Sequence, residues 1–196
     1  MRDPALNIAG ATDEDRRLWN SYVYWARESL GPVPDTFIVA DPDARLSAAD
    51  ASALRAILFT AFALEYRLRS VYEALSLSVR QRDGLCTLLG NLQRRTEGRV
   101  GLNRRRIAFS AEWAAVKLRL DNLVSLRNRV AHGKRGPVAE LLRDAEPSLS
   151  AQAVDGYNAL IDAIRVINLA IGYESRRGKA LDNYYSPLQF VAGDGA

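Results

Sequence analysis

The chain has 196 residues, 48% of them apolar and 26% charged, with 27 basic against 23 acidic side chains and a formal charge of +4. This length suits one domain with an extension, and the composition is that of a globular chain, which excludes wholesale disorder. A single cysteine, Cys86, excludes an intramolecular disulfide and a cysteine-rich zinc site, and a single histidine, His132, excludes any site that needs two imidazoles from one chain.

In chain order, Met1–Gly10 carries Arg2 and Asp3 and leads into no long apolar run, so no secretory signal is expected. Thr12 followed by Asp13, Glu14 and Asp15 predicts a helix start, because carboxylates suit the positive end of the helix dipole. Leu18, Tyr22, Trp25 and Ser29 continue it at helical spacing as far as Gly31-Pro32-Val33-Pro34. Residues 31–46 read as a Pro/Asp-rich connection, with Thr36–Ala40 as a short extended piece. Residues 1–46 thus form an N-terminal helix and connection ahead of the main body. Ser47 and Asp50 make a start like a capping box, from which a long helix is expected over about 48–79. Its inward residues are Leu54, Ile57, Leu58, Ala61, Leu64, Leu68, Val71, Tyr72 and Leu75.

Leu85, Leu88, Leu89 and Leu92 predict a shorter helix over about 84–96, in which Cys86 reads as a small buried residue. The loop from Glu97 to Arg106 holds Gly98, Gly101 and much basic charge. Ser110 is placed to cap a helix over about 111–132. Val154, Tyr157, Ile161, Ile164 and Ile167 predict a last helix from about Ser150 to Ile171. Residues 173–196 form a polar tail in which Tyr184-Tyr185 and Leu188–Val191 are apolar enough to dock on the body. No alternating strand pattern of useful length occurs. The longest nearly uncharged stretch, Ala56–Leu64, is far below the roughly 20 apolar residues needed to span a bilayer. The expected architecture is an all-α bundle of four to five core helices over 47–172 with an added N-terminal helix, in a soluble cytoplasmic protein with no membrane partner.

The small net charge conceals a polarity. Residues 1–50 hold nine acidic and five basic side chains, whereas residues 80–135 hold fourteen basic and four acidic ones, a surplus of ten. Such a block attracts phosphate backbones by field steering and counterion release. It equally describes a solvated arginine-rich surface.

Chemistry concentrates in Leu120–Pro137, LDNLVSLRNRVAHGKRGP. Trp113, Val116, Leu120, Leu123, Arg127 and Val130 form one seam, so Arg127 occupies a position that the period assigns to an apolar residue. A guanidinium there demands a partner or a polar cleft. Asp121, Ser125, Asn128 and His132 wind a polar stripe around the same helix. Gly133 is a natural terminator, which sets His132 in the last turn beside the negative end of the dipole. A histidine followed by glycine is also an ordinary helix ending.

Arg127-Asn128-Arg129-Val130-Ala131-His132 resembles the signature of the HEPN superfamily: an arginine, a polar residue that is often asparagine, three more residues, then histidine. The layout of 47–172 is similar too, with a long early helix carrying an internal acidic residue, a motif-bearing helix and a closing helix. The resemblance implies a bundle that dimerises to bring two Arg–His motifs into one cleft. It implies a metal-independent endoribonuclease without cofactor, as found in toxin–antitoxin, phage-defence and RNA-processing systems, or a relative that binds RNA, nucleotide or a protein partner without catalysis. A cognate antitoxin or effector is a further implied partner.

RNA cleavage by its own 2′-hydroxyl needs a base, an acid and positive charge on the phosphorane. His132 suits proton transfer and Arg127 suits the charge, while Asn128 would orient the motif or touch substrate. Five residues turn His132 about 140° from Arg127 on a regular helix. The helix must therefore unwind near Ala131, or the two residues must meet across a dimer. Glu65 resembles the acidic residue that related bundles place beside the motif and is a candidate partner for Arg127; the alternative is a local pair with Arg69. Arg94, Arg95, Arg99, Arg104, Arg105, Arg106, Arg129, Lys134 and Arg135 are the expected RNA-backbone contacts. Trp19, Tyr22, Tyr24 and Trp25 read as core or dimer packing, with base stacking as the other possibility. One departure stands out: where some HEPN toxins have a tyrosine two residues past the histidine, this chain has Lys134.

Overall fold

Ser47 starts the longest helix, α2 (Ala48–Ala74). Its backbone is extended (φ −63°, ψ 156°), its hydroxyl accepts from the Asp50 N–H at 3.0 Å, and it donates to the Asp50 carboxylate at 2.7 Å. The computed structural model describes residues 13–31, 47–75, 77–96, 111–132 and 147–170. Its other helices are α1 (Asp13–Glu28), α3 (Leu85–Thr96), α4 (Glu112–His132) and α5 (Leu149–Ala170), and no strand occurs among the described residues. The chain is an all-α bundle. None of its described helices is long and apolar enough to cross a membrane.

The hub is α2, which packs against α1, α3, α4 and α5. One face of it supplies Ile57, Ala61, Leu64, Leu68, Val71 and Tyr72 to a core shared with Leu88, Leu92, Leu120, Leu123, Tyr157, Ile161 and Ile164. Three expected inward positions, Leu54, Leu58 and Leu75, are half-buried. The helix ends at Ala74, not near residue 79. Beyond it Leu75, Leu77 and Val79 turn inward at every second position, and the Leu77 N–H closes on the Tyr72 carbonyl at 2.8 Å. Apolar residues at a spacing of two thus satisfy the core without a further helical turn. Similarly, α5 starts at Leu149, a buried residue, because Ser148 caps it: the Ser148 hydroxyl accepts from Ala151 N–H at 3.3 Å and its carbonyl from Gln152 N–H at 3.0 Å.

Among the described side chains of α1, Val23 and Ala26 are buried, and aromatic rings interlock beside them. Tyr22 meets Trp25, Phe62 and Tyr66 with ring centroids 6.0, 5.7 and 6.5 Å apart, and Trp25 meets Phe59 at 5.4 Å. The cluster is therefore an edge of the packing and not core. Leu18, Tyr24, Trp25 and Phe62 remain exposed, while Trp19 lies outside the residues whose side chains are described.

Two features seat α4 on α5. Gly156 lets the helices approach so closely that a Cβ built there would lie 2.9 Å from Leu123 Cδ1. Arg119 spans one turn and more of α5, donating to Asp155 at 2.8 Å and Asp162 at 2.7 Å. Burial pulls this guanidinium's pKa down, but its bonds to Asp162 and Asp155 outweigh that and hold it above the ordinary arginine value.

Candidate functional site at the end of α4

Helix α4 reaches its motif as a regular helix. Trp113, Val116, Leu120 and Leu123 are buried as their spacing predicts, and Val124 and Leu126 are buried as well, because the helix is flanked by α2, α3 and α5. At the next turn of the seam Arg127 is half-buried with its Nε fully enclosed. Its Nη1 donates to the Asn128 carboxamide oxygen at 3.0 Å. Adjacent helical residues point about 100° apart, so this contact fixes both side chains at the expense of their rotamer freedom.

Asn128 faces two ways. Its Nδ2 donates to the Cys86 thiol of α3 at 3.7 Å, within the range for a sulfur acceptor. Cys86 is exposed, which corrects its reading as a buried residue: it sits one position past Leu85, on the outer side of the first turn of α3, where Leu85, Leu88, Leu89 and Leu92 take the core positions. The thiol thus belongs to the surroundings of the motif, a placement that only the α3–α4 contact reveals.

Glu65 lies half-buried on α2, and its carboxylate accepts from Arg69 at 2.9 Å (Nη2) and 3.2 Å (Nε). This is the local pair that the sequence offered as one alternative. Arg69 reaches further, with Nη2 donating to the Asp83 carbonyl at 2.7 Å. The turn before α3 is closed in its own right, since the Asp83 carboxylate accepts from Arg80 N–H at 2.9 Å and Asp83 N–H donates to the Arg80 carbonyl at 2.9 Å. A buried Tyr72 hydroxyl donates to the Leu88 carbonyl at 2.7 Å, and Arg95 lies 5.4 Å above the same ring. The Arg69–Asp83 and Tyr72–Leu88 bonds tie α3 to α2 at the end where α3 meets Asn128.

Of the other expected site residues, His132 is the last residue of α4, and its side chain lies outside the described residues. Arg129 is half-buried in the last turn of α4. On α3, Arg94 is exposed and donates to Asn91, while Arg95 donates to Ser78 at 3.0 Å. Arg99, Arg104, Arg105, Arg106, Lys134 and Arg135 lie outside the described residues.

Arg67 was passed over in the sequence and is 1% exposed, the only buried charged residue among those described. Thr60, Leu64, Arg67 and Val71 follow steps of 4, 3 and 4. The feature that marks Arg127, a guanidinium on an apolar seam, marks Arg67 as well.

The fold and this site together define a class, an all-α bundle with an Arg-Asn-x3-His segment at the end of one core helix. In comparison with known proteins, no family model matches the chain, and neither does any curated protein or solved structure.

Proposed function

We propose that the chain is a homodimeric, metal-independent endoribonuclease of HEPN type, with Arg127 and His132 as its catalytic pair. The observation that carries this reading is the way the motif residues are held. Asn128 binds Arg127 with its carbonyl and α3 with its amide nitrogen, so a guanidinium rises from an apolar seam already oriented. Preorganised positive charge is what a pentavalent phosphorane requires.

In this mechanism an imidazole removes the proton of the RNA 2′-hydroxyl, whose oxygen attacks the adjacent phosphorus. A second imidazole protonates the departing 5′-oxygen, leaving a 2′,3′-cyclic phosphate. Arg127 stabilises the intervening phosphorane. Helix α4 includes both Arg127 and His132, and five residues of a regular helix span about 140° of rotation. That separation, with one histidine per chain, supports a cleft shared by two copies, which supplies both acid and base.

The test is cleavage of RNA in EDTA by wild type and by folded His132→Ala and Arg127→Ala chains. The reading expects cyclic phosphate ends and loss of about 100-fold or more in kcat for either variant. Full cleavage by pure His132→Ala protein rejects it. Co-refolding wild type with an equal amount of His132→Ala distinguishes one histidine from two. If both are needed, only wild-type pairs cut and activity falls to about a quarter; if each chain acts alone it falls to about a half. A second reading is a non-catalytic module that holds RNA, nucleotide or a protein partner at the same end of α4. Unchanged RNA affinity without cleavage across varied substrates supports that second reading.

A further inference from the structure

We propose that Arg69 is a positioning residue for the motif: it fastens the first turn of α3 to α2 and thereby sets Cys86 against Asn128. As a statement about catalysis this rests on the ribonuclease reading; as a statement about the geometry of Asn128 it stands apart from it.

The relay is continuous. Glu65 engages two nitrogens of Arg69, which aims the guanidinium along α2. The same Nη2 then holds the Asp83 carbonyl at 2.7 Å, and Asp83 stands two residues before the first residue of α3. The Gly84 carbonyl receives the first helical N–H groups, from Thr87 at 2.9 Å and Leu88 at 3.1 Å, and Cys86 lies within that turn. Its thiol meets Asn128, whose carbonyl receives Arg127.

Only a forked donor fits the position. Lysine has one nitrogen on a flexible stem, whereas the planar guanidinium addresses a carboxylate and a carbonyl in fixed directions. Arg69 and Glu65 are 34% and 25% exposed in their side chains, so their mutual attraction alone is a weak source of stability. What Arg69 contributes instead is register, because the chain on the far side of Asp83 carries the thiol that Asn128 touches. Glu65 in this scheme acts on the motif through Arg69.

The experiment uses the full chain with Arg69→Met, which keeps the stem and removes the fork, and Glu65→Gln, which keeps the Asp83 bond but removes the aiming charge. Cys86 is the chain's one thiol, so its reaction rate with a chromogenic disulfide reports this turn unambiguously. In Arg69→Met the thiol is expected to react several-fold faster at an unchanged melting temperature. kcat on RNA should fall about tenfold with KM within about twofold, since a misaligned guanidinium loses transition-state contact more than substrate binding. Glu65→Gln should move both readouts in the same direction by less. Unchanged thiol rates in both variants overturn the proposal, as does a faster thiol with unchanged kcat in an active enzyme. If wild type cuts no RNA the ribonuclease reading fails, and the thiol rate alone decides whether Arg69 holds α3. If Arg69→Met does not fold, Glu65→Gln carries the same two readouts and an unchanged pair of values overturns the proposal.

Discussion

Substitution of Gly156 by alanine probes how the motif helix is seated. A methyl group there would stand 2.9 Å from Leu123 Cδ1 and 3.6 Å from its Cβ and Cγ. Leu123 is 1% exposed, so it cannot turn out into solvent. Relief requires an off-rotamer Leu123 or a wider α4–α5 spacing, at about 1–3 kcal/mol for overpacking of this kind. Against this, alanine in a helix interior gains about 1 kcal/mol over glycine. The net expectation is a loss of roughly 0–2 kcal/mol, which alone would be a soft test.

A double-mutant cycle sharpens it. Leu123→Ala costs about 2–5 kcal/mol by itself, but it removes the atom that the new methyl would strike. In that background Gly156→Ala should stabilise, by about 1 kcal/mol from helix propensity with a further gain from partly refilling the space. Gly156→Ala should therefore change sign between the two backgrounds, with a coupling of at least about 1 kcal/mol. Urea unfolding followed by circular dichroism at 222 nm measures all four chains, and thermal melts should shift by about 2–4 °C per kcal/mol at this size. Additivity within about 0.5 kcal/mol would refute the close approach as the reason for glycine at 156.

Two tyrosines make a contrasting pair. Tyr72→Phe removes a buried bond to the Leu88 carbonyl and should cost about 1–2 kcal/mol, whereas the Tyr157 hydroxyl is buried with no hydrogen-bond partner among the described residues, so Tyr157→Phe should be neutral or slightly stabilising in urea melts. Burial raises the pKa of both phenols, so above about pH 10 the unfolded chain releases protons that the folded chain retains. Stability present below that pH should decline as pH rises, and an alkaline melt series on Tyr157→Phe should show a shallower decline. Arg119→Met should lower stability by about 1 kcal/mol or less, since the clamp is one-third exposed, and 1 M salt should shrink the difference from wild type.

Helix existence and the faces that α3 and α5 bury were legible in the sequence because leucine and isoleucine recur there at helical spacing. The end of α2 was not, since Leu75, Leu77 and Val79 are apolar in either period and only their tertiary packing decides between a helix and a turned strap. The motif was legible through Arg127, a charge on an apolar seam. Its surroundings were not: Cys86 meets Asn128 across 42 residues and Arg69 reaches the turn before α3 across 14, contacts that no local pattern encodes. Arg67 is legible only through the seam Thr60–Leu64–Arg67–Val71, since an arginine among Glu65, Arg69 and Arg55 otherwise reads as one more surface charge.

The seating of α4 also divides that helix by stiffness. Its middle buries Leu120, Leu123 and Val124, abuts Gly156 and follows the Arg119 clamp, so the amides there should exchange with solvent only when the whole bundle opens. Its last turn, Arg129 to Ala131, is half-buried or exposed and should exchange by fraying. The segment from Arg127 to Ala131 therefore straddles the boundary, with Arg127 near the anchored part. Any ligand that ordered this last turn would meet the Arg127 guanidinium already held by Asn128, at an entropic cost confined to about one turn of helix.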